Sequence, residues 1–404
     1  MSVVVAADVA RARDAVCDVA RRTPVLESEA LSERCGARVV LKAENLQRTG
    51  SFKLRGTLNK LASLGAACER GVVAGSAGNH AWALADAARA LGVPCEVFMP
   101  AQAPLAKIEG CAALGAVVHL GGDSLEDCFE AATARAQEGG LAFVHPFDDP
   151  DVVAGQGTIG LELLEDVEDL AKVVVPVGGG GLASGLAIAV KSARPGVEVV
   201  GVQAKACAPF ADSLRRGRPI AVSSALSIAD GIAVKRPGEL TLALVAHWLD
   251  DVVAVGEDEI AEAMVLLMER SKLVVEGAGA VGAAALLEGL VAPAPSGTTV
   301  VVLSGGNVDA GLLAAVTRRH ETQVGRRLAL FTRVPDRPGS LAGLLACVAG
   351  AGANLVEVEH VREGVDLHVR ETAVQLVLET RGREHAEQVL KAVADDGYVA
   401  RRLD

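Results

Sequence analysis

Short β-branched apolar runs alternate with longer Ala/Leu-rich stretches along most of this chain, from about Val39 to Leu303. The runs Val39–Leu41, Val72–Ala74, Glu96–Met99, Val117–Leu120, Val173–Val177, Val197–Val202, Val252–Val255 and Thr299–Leu303 read as strands. Helical spacing of the apolar positions between them predicts helices, for example over Ala81–Leu91, Leu182–Ser192 and Asp258–Arg270. This alternation predicts an α/β fold of open, mostly parallel sheets, whose ligand sites lie at the carboxyl ends of the strands.

A polar stretch from Thr317 to Arg327 reads as a boundary or linker, and the order of elements changes beyond it. Strand Leu328–Val334, helix Ser340–Ala349, strands Asn354–Val361 and Ala373–Glu379, helix Glu384–Ala394 and strand Tyr398–Leu403 spell βαββαβ, the ferredoxin-like split motif. The expected organisation is one domain over residues 1–318, with a smaller subdomain at about 48–149 inserted in a larger one, and a second domain over 327–404.

Composition agrees with a multidomain globular chain. At 404 residues it exceeds one domain of roughly 150 residues, and 50% hydrophobic content provides for sizeable cores. A net charge of −12 without a basic run excludes nucleic acid or an anionic membrane as the main partner. The eight cysteines (Cys17, Cys35, Cys68, Cys95, Cys111, Cys128, Cys207 and Cys347) never reach C-x-x-C spacing. Neither a zinc site nor a disulfide scaffold is expected, and reduced thiols point to the cytoplasm. The apolar run Val3–Ala7 is too short for a secretory signal. The uncharged stretch Val173 to Val190 is interrupted by Pro176 and Gly178–Gly181, so it reads as strand, loop and helix in a soluble protein rather than a membrane span.

Four strings carry candidate chemistry. SFKLRG (Ser51–Gly56) follows an apolar strand and a Thr-Gly turn, and a nucleophilic Lys53 would need burial or imine formation to lower its pKa. SAGNH (Ser76–His80) lies between a strand and a helix, where small residues and helix-start N–H groups suit a carboxylate; a simple capped turn is an equal reading of that string alone. GGGGL (Gly178–Leu182) frees successive amides to wrap a phosphate, and it is neither G-x-G-x-x-G nor a Walker loop. SGGN (Ser304–Asn307) follows the last strand of the first domain, where a serine is ordinarily a turn or cap residue.

Together, in this order, the four strings closely resemble the fold-type-II pyridoxal-phosphate enzymes, in their threonine/serine dehydratase and serine racemase branch, over roughly Thr23 to Gly311. The resemblance implies that Lys53 anchors pyridoxal 5′-phosphate covalently, with Phe52 packed on one face of the ring and Gly231 on the other. It implies Asn79 at the phenolic oxygen, Gly178, Gly179, Gly180, Gly181 and Leu182 around the phosphate, and Ser304 at the pyridine nitrogen. It implies, too, that Ser76, Ala77, Gly78, Asn79 and His80 form the substrate loop. The activity implied is removal of water from L-threonine, and from L-serine, giving 2-oxobutanoate or pyruvate and ammonia.

Departures narrow the reading. Racemases resemble S-S-G-N-H and use the second serine as an acid/base group, whereas this chain has Ala77. Gln203 and Pro209 stand where racemases carry acidic metal ligands, so no divalent site is expected. The string His145-Pro146-Phe147-Asp148 looks like the dehydratases, but Trp82-Ala83 replaces their usual Gln-Gly, and Trp82 reads as a packing residue. The C-terminal segment, with Val334-Pro335-Asp336-Arg337-Pro338-Gly339 and Asn354, resembles an ACT domain; this implies side-by-side pairing into a homodimer or homotetramer, with either an amino-acid effector site or a purely structural, oligomerising role. Alternatives are a serine racemase, a hydroxyaspartate dehydratase, or an amino-acid sensor without catalysis, which the intact Lys53 argues against. A nicotinamide dehydrogenase lacks its fingerprint here.

Overall fold

A computed structural model of the chain describes residues 4–223, 226–362 and 367–403. They form two compact units, Met1–Val308 and Asp309–Asp404.

In the first unit, β1 (Val25–Glu27) and β2 (Val39–Ala43) open a six-stranded sheet. The chain then leaves it to build a four-stranded one from β3 (Val72–Gly75), β4 (Cys95–Met99), β5 (Val117–Leu120) and β6 (Ala142–Phe143). It returns to the larger sheet with β7 (Leu170–Pro176), β8 (Glu198–Ala204), β9 (Asp251–Val255) and β10 (Thr298–Leu303). The larger sheet runs β1-β2-β10-β7-β8-β9 and is parallel except for β1. The smaller runs β5-β4-β3-β6, all parallel, and lies wholly within residues 48–149. Helices cover both faces of the larger sheet's centre, so β10 is buried along its whole length and reads as continuous apolar and Thr positions.

The stretch Val173 to Val190 divides as its glycines require, into β7, a loop and the helix Gly181–Ala193. Among the described residues no helix is long and apolar enough to cross a membrane. All eight cysteines are free thiols.

The second unit begins earlier than its sequence suggests. Residues 317–327 are not a linker: the helix Ala310–Gln323 spans most of them and groups with the C-terminal strands, so the division falls after Val308 rather than at 318. The polar character of Thr317–Gln323 belongs to a helix with Val316 as its buried residue. Asp309 caps this helix by accepting from the Gly311 and Leu312 N–H groups at 2.8 and 3.1 Å. Next come β11 (Arg327–Pro335), helix Ser340–Gly350, β12 (Asn354–Val361), β13 (Glu371–Glu379), helix Arg383–Asp395 and β14 (Ala400–Leu403). The antiparallel order β12-β13-β11-β14 is that of a ferredoxin-like βαββαβ unit.

Candidate active site

The site is assembled from loops at the carboxyl ends of β2, β3, β7 and β10. After β2 the chain turns through Glu44–Leu46 and meets the loop after β10 edge to edge. Ser51 and Gly305 form an antiparallel bridge, the Phe52 N–H donates to the Ser304 carbonyl at 3.1 Å, and the Gly306 N–H donates to Gly50 at 2.9 Å. Lys53 then opens the helix Lys53–Leu64. The helix is pinned from behind by Arg55, which is 1% exposed. Its guanidinium donates to Glu44 at 2.8 and 2.9 Å, to Glu162 at 2.6 Å and to Thr158 at 3.2 Å. Lys42 in β2 completes this buried network, 2.5 Å from Glu162.

The Lys53 amine donates to the Pro146 carbonyl at 2.8 Å and lies 5.2 Å from the centre of the Phe52 ring. Burial lowers its pKa to about 8, against the opposing pull of Glu276. A fraction of neutral, nucleophilic amine is therefore present near neutrality. The neighbouring imidazoles are neutral. Burial and the Lys53 charge lower His80 to about 3; burial likewise lowers His145 to about 4, against Asp148.

In the loop after β3, Ser76 Oγ accepts from the Gly78 N–H at 3.2 Å, and Asn79 and His80 are the first two residues of the helix Asn79–Leu91. Their N–H groups are among those that no helical carbonyl can satisfy. The His80 ring is 3% exposed and donates from Nε2 to the Val144 carbonyl at 2.9 Å, so its backbone rather than its ring is positioned for an anion. The Asn79 side chain is held at both ends: Oδ1 accepts from Asn307 at 2.7 Å and Nδ2 donates to Glu276 at 2.8 Å.

After β7, Gly180 takes φ +92° and caps the helix Gly181–Ala193. A Cβ on Gly179 would fall on the Phe147 ring, so the loop can pass only as glycine. The first residues of this helix, Gly181 and Leu182, line a cavity, and the N–H groups of a helix's first turn have no helical carbonyl partner, a setting that favours phosphate.

One cavity of about 690 Å³ is lined by Phe52, Lys53, Ser76, Ala77, Gly78, Asn79, His80, Gly178, Gly179, Gly180, Gly181, Leu182, Gly231 and Ser304. Every candidate site residue thus meets at one place. Trp82 is not on this wall; its indole donates to the Lys107 carbonyl at 3.1 Å and packs against the core of the smaller sheet. Gln203 is spent on packing, bridging the Val177 carbonyl and the Phe210 N–H at 3.3 and 3.1 Å. Among the described residues no group of His, Cys, Asp or Glu is arranged to hold a metal ion.

Two residues of the wall escaped sequence reasoning. Glu276 is 6% exposed and precedes the helix Gly277–Leu287; burial and Asp230 raise its carboxyl to about 7, while Asn79, Lys107 and the Asn307 N–H oppose them. Asn307 ends the SGGN string, but its role depends on Asn79, which arrives from the other sheet. The only signal for Glu276 was a carboxylate ahead of an uncharged helix. At the cavity rim, Lys107 pairs with Asp230 at 3.7 Å, Lys235 with Glu126 at 2.8 Å and Arg236 with Glu239 at 3.0 Å.

Comparison with known proteins identifies the family. Residues 16–305 match the family model described as pyridoxal-phosphate dependent enzyme. The L-threonine ammonia-lyase of Thermotoga maritima is 45% identical over 395 residues, 98% of either chain. Among solved structures, the processed form of threonine deaminase isoform 2 from Solanum lycopersicum is 36% identical with a TM-score of 0.73, covering 77% of this chain and 91% of its own. Maize serine racemase superposes with a TM-score of 0.74 at 33% identity, covering 80% and 99%.

Proposed function

The chain belongs to the pyridoxal-phosphate-dependent enzyme family, and on that basis we propose that it removes water from L-threonine, and from L-serine, with Lys53 as its catalytic lysine. The products are 2-oxobutanoate or pyruvate, and ammonia. The observation that carries this reading is the convergence of the desolvated Lys53 amine and the Gly178–Gly181 loop on one cavity.

The residues present fit the cofactor. The glycine cradle at a helix start suits its phosphate, and Phe52 and Gly231, both on the cavity wall, would flank its ring. Ser304 would meet the ring nitrogen and Asn79 the phenolic oxygen. When bound, pyridoxal phosphate supplies the electron sink that makes the Cα–H bond of an amino acid acidic. Lys53 carries the remaining chemistry of this chain: near its pKa of about 8 its amine can attach the cofactor, and once released it can take the Cα proton. The backbone N–H groups at Asn79 and His80 would hold the substrate carboxylate, with Ser76 at their side.

The rim favours a substrate with a neutral side chain. Lys107, Lys235 and Arg236 each already face a carboxylate, which leaves them poorly placed to receive the second carboxylate of hydroxyaspartate. Ala77 offers no proton donor for racemisation.

The second unit acts, in this proposal, as an ACT-type regulatory module that pairs with its copy in a homodimer or homotetramer. Its first loop and the start of helix Ser340–Gly350 border a cavity of about 1190 Å³ lined in part by Arg333, Arg337, Ser340 and Tyr398, a setting for an amino-acid effector. The free thiols suit a reducing, cytoplasmic setting.

The test is a steady-state comparison of L-threonine, L-serine, D-serine and hydroxyaspartate, following ammonia and 2-oxo acid. L-threonine and L-serine are expected to lead. A preference for hydroxyaspartate, or D-serine as the main product from L-serine, would overturn the assignment.

A further inference from the structure

We infer that Glu276 is a positioning residue whose carboxylate fixes the orientation of the Asn79 amide, so that Asn79 offers an N–H, not a carbonyl oxygen, to the bound cofactor. The inference rests on the proposal that this cavity holds pyridoxal phosphate.

The two ends of an amide have nearly the same shape, so its orientation is decided by its partners. The chain of partners here has fixed ends. The Thr49 carbonyl can only accept, and Asn307 Nδ2 donates to it at 2.8 Å. The other hydrogen of Asn307 Nδ2 goes to Asn79 Oδ1 at 2.7 Å. At the far end, the Glu276 carboxylate can only accept, and Asn79 Nδ2 donates to it at 2.8 Å. Turning Asn79 over would set oxygen against carboxylate at one end and N–H against N–H at the other. One hydrogen of Asn79 Nδ2 is then left for the cavity that Asn79 lines.

Glu276 is itself held rigidly. Its N–H donates to the Gly305 carbonyl at 3.1 Å, its carboxyl accepts from the Asn307 N–H, and its backbone caps the helix Gly277–Leu287. Ionised, as it is above its value of about 7, this carboxyl can only accept, and in that form it joins the SAGNH and SGGN loops and fixes the Asn79 amide. Asp230, Lys107 and Lys53 are the charged groups acting on it.

The test uses the full-length protein loaded with pyridoxal phosphate, at a pH above the carboxyl's value of about 7. Glu276→Met removes the acceptor at similar length; Glu276→Gln keeps an acceptor oxygen. Read-outs are the visible absorbance of the bound cofactor, kcat and KM separately, and melting temperature. Glu276→Met is expected to change the absorbance band and lower kcat about tenfold to a hundredfold with little change in KM, and Glu276→Gln to recover most of both. Should Glu276→Met fail to fold, the pair Asn79→Asp with Glu276→Gln serves instead. Its hydrogen bonds can all be satisfied, yet no donor faces the cofactor, so a normal melting temperature with the altered band is expected. A folded, cofactor-loaded Glu276→Met or double variant with the wild-type band and kcat would overturn the inference alone. A wild-type protein that never acquires a cofactor band would overturn the cofactor reading, and this inference with it.

Discussion

The Phe52 N–H donates to the Ser304 carbonyl at 3.1 Å, and this one backbone bond ties the loop that presents Lys53 to the loop that closes the first unit. With the Ser51–Gly305 bridge beside it, it gives a flexible lysine a rigid base and sets Ser304 at a fixed place across the cavity. Catalytic geometry is thereby built from strand ends rather than from free loops, as parallel α/β sheets allow.

Gly179 should tolerate no side chain. Gly179→Ala places a methyl group on the Phe147 ring, so a stability loss of about 1–3 kcal/mol is expected from overpacking. Cofactor affinity should fall with it, and a shortened ring neighbour, Gly179→Ala with Phe147→Ala, should return part of the stability. Thermal unfolding and cofactor titration measure both effects.

The buried network behind Lys53 should show in acid stability. Burial alone would raise the Glu44 carboxyl, but the charge and hydrogen bonds of Arg55, with Lys42 and Thr23, outweigh it and hold the pKa below the usual range. The stability this contributes is fully present above the unfolded carboxylate pKa and is lost as pH falls through the lowered folded value. Arg55→Met should cost about 3–5 kcal/mol at neutral pH, because it strands buried carboxylates. The gap to wild type should narrow below about pH 4 in denaturant titrations.

Ala77 lines the cavity wall, and a hydroxyl there would add a proton donor. Incubation of the wild-type protein with L-serine should yield 2-oxo acid with very little D-serine. Ala77→Ser should raise the D-serine fraction by about tenfold or more. Chiral chromatography decides, and an unchanged fraction in a folded, active variant would show that this position does not control the outcome.

Truncation should respect the structural division and not the polar stretch. A chain ending at Val308 keeps every residue that lines the cavity, whereas one ending at Thr317 retains half of a helix that belongs to the second unit. The shorter chain is expected to bind cofactor and turn over L-threonine while losing any response to an amino-acid effector. Soluble, cofactor-loaded protein without turnover would mean that the second unit takes part in the chemistry.

What was legible in the sequence is what is local. SAGNH, GGGGL and SGGN each sit where a strand ends, and SFKLRG follows a strand and a turn, so local pattern located them and ordered them along the chain. The partners of Asn79 were not legible, because Glu276 and Asn307 reach it from the other sheet and a carboxylate before an apolar helix has no periodic signature. The Lys42–Glu44–Arg55–Glu162 network was hidden for the same reason: β2 reads as an apolar strand, yet Lys42 within it is fully buried. The start of the second unit is not legible in the sequence because helix Ala310–Gln323 buries so little that its polar face resembles a linker.

The most direct measurement is borohydride reduction of the yellow, pyridoxal-phosphate-loaded protein followed by peptide mapping. The account predicts the reduced cofactor on the peptide that contains Lys53, and Lys53→Ala protein that takes no label and loses turnover by about a thousandfold or more. Label on any other lysine, or a Lys53→Ala protein with wild-type turnover, would contradict it.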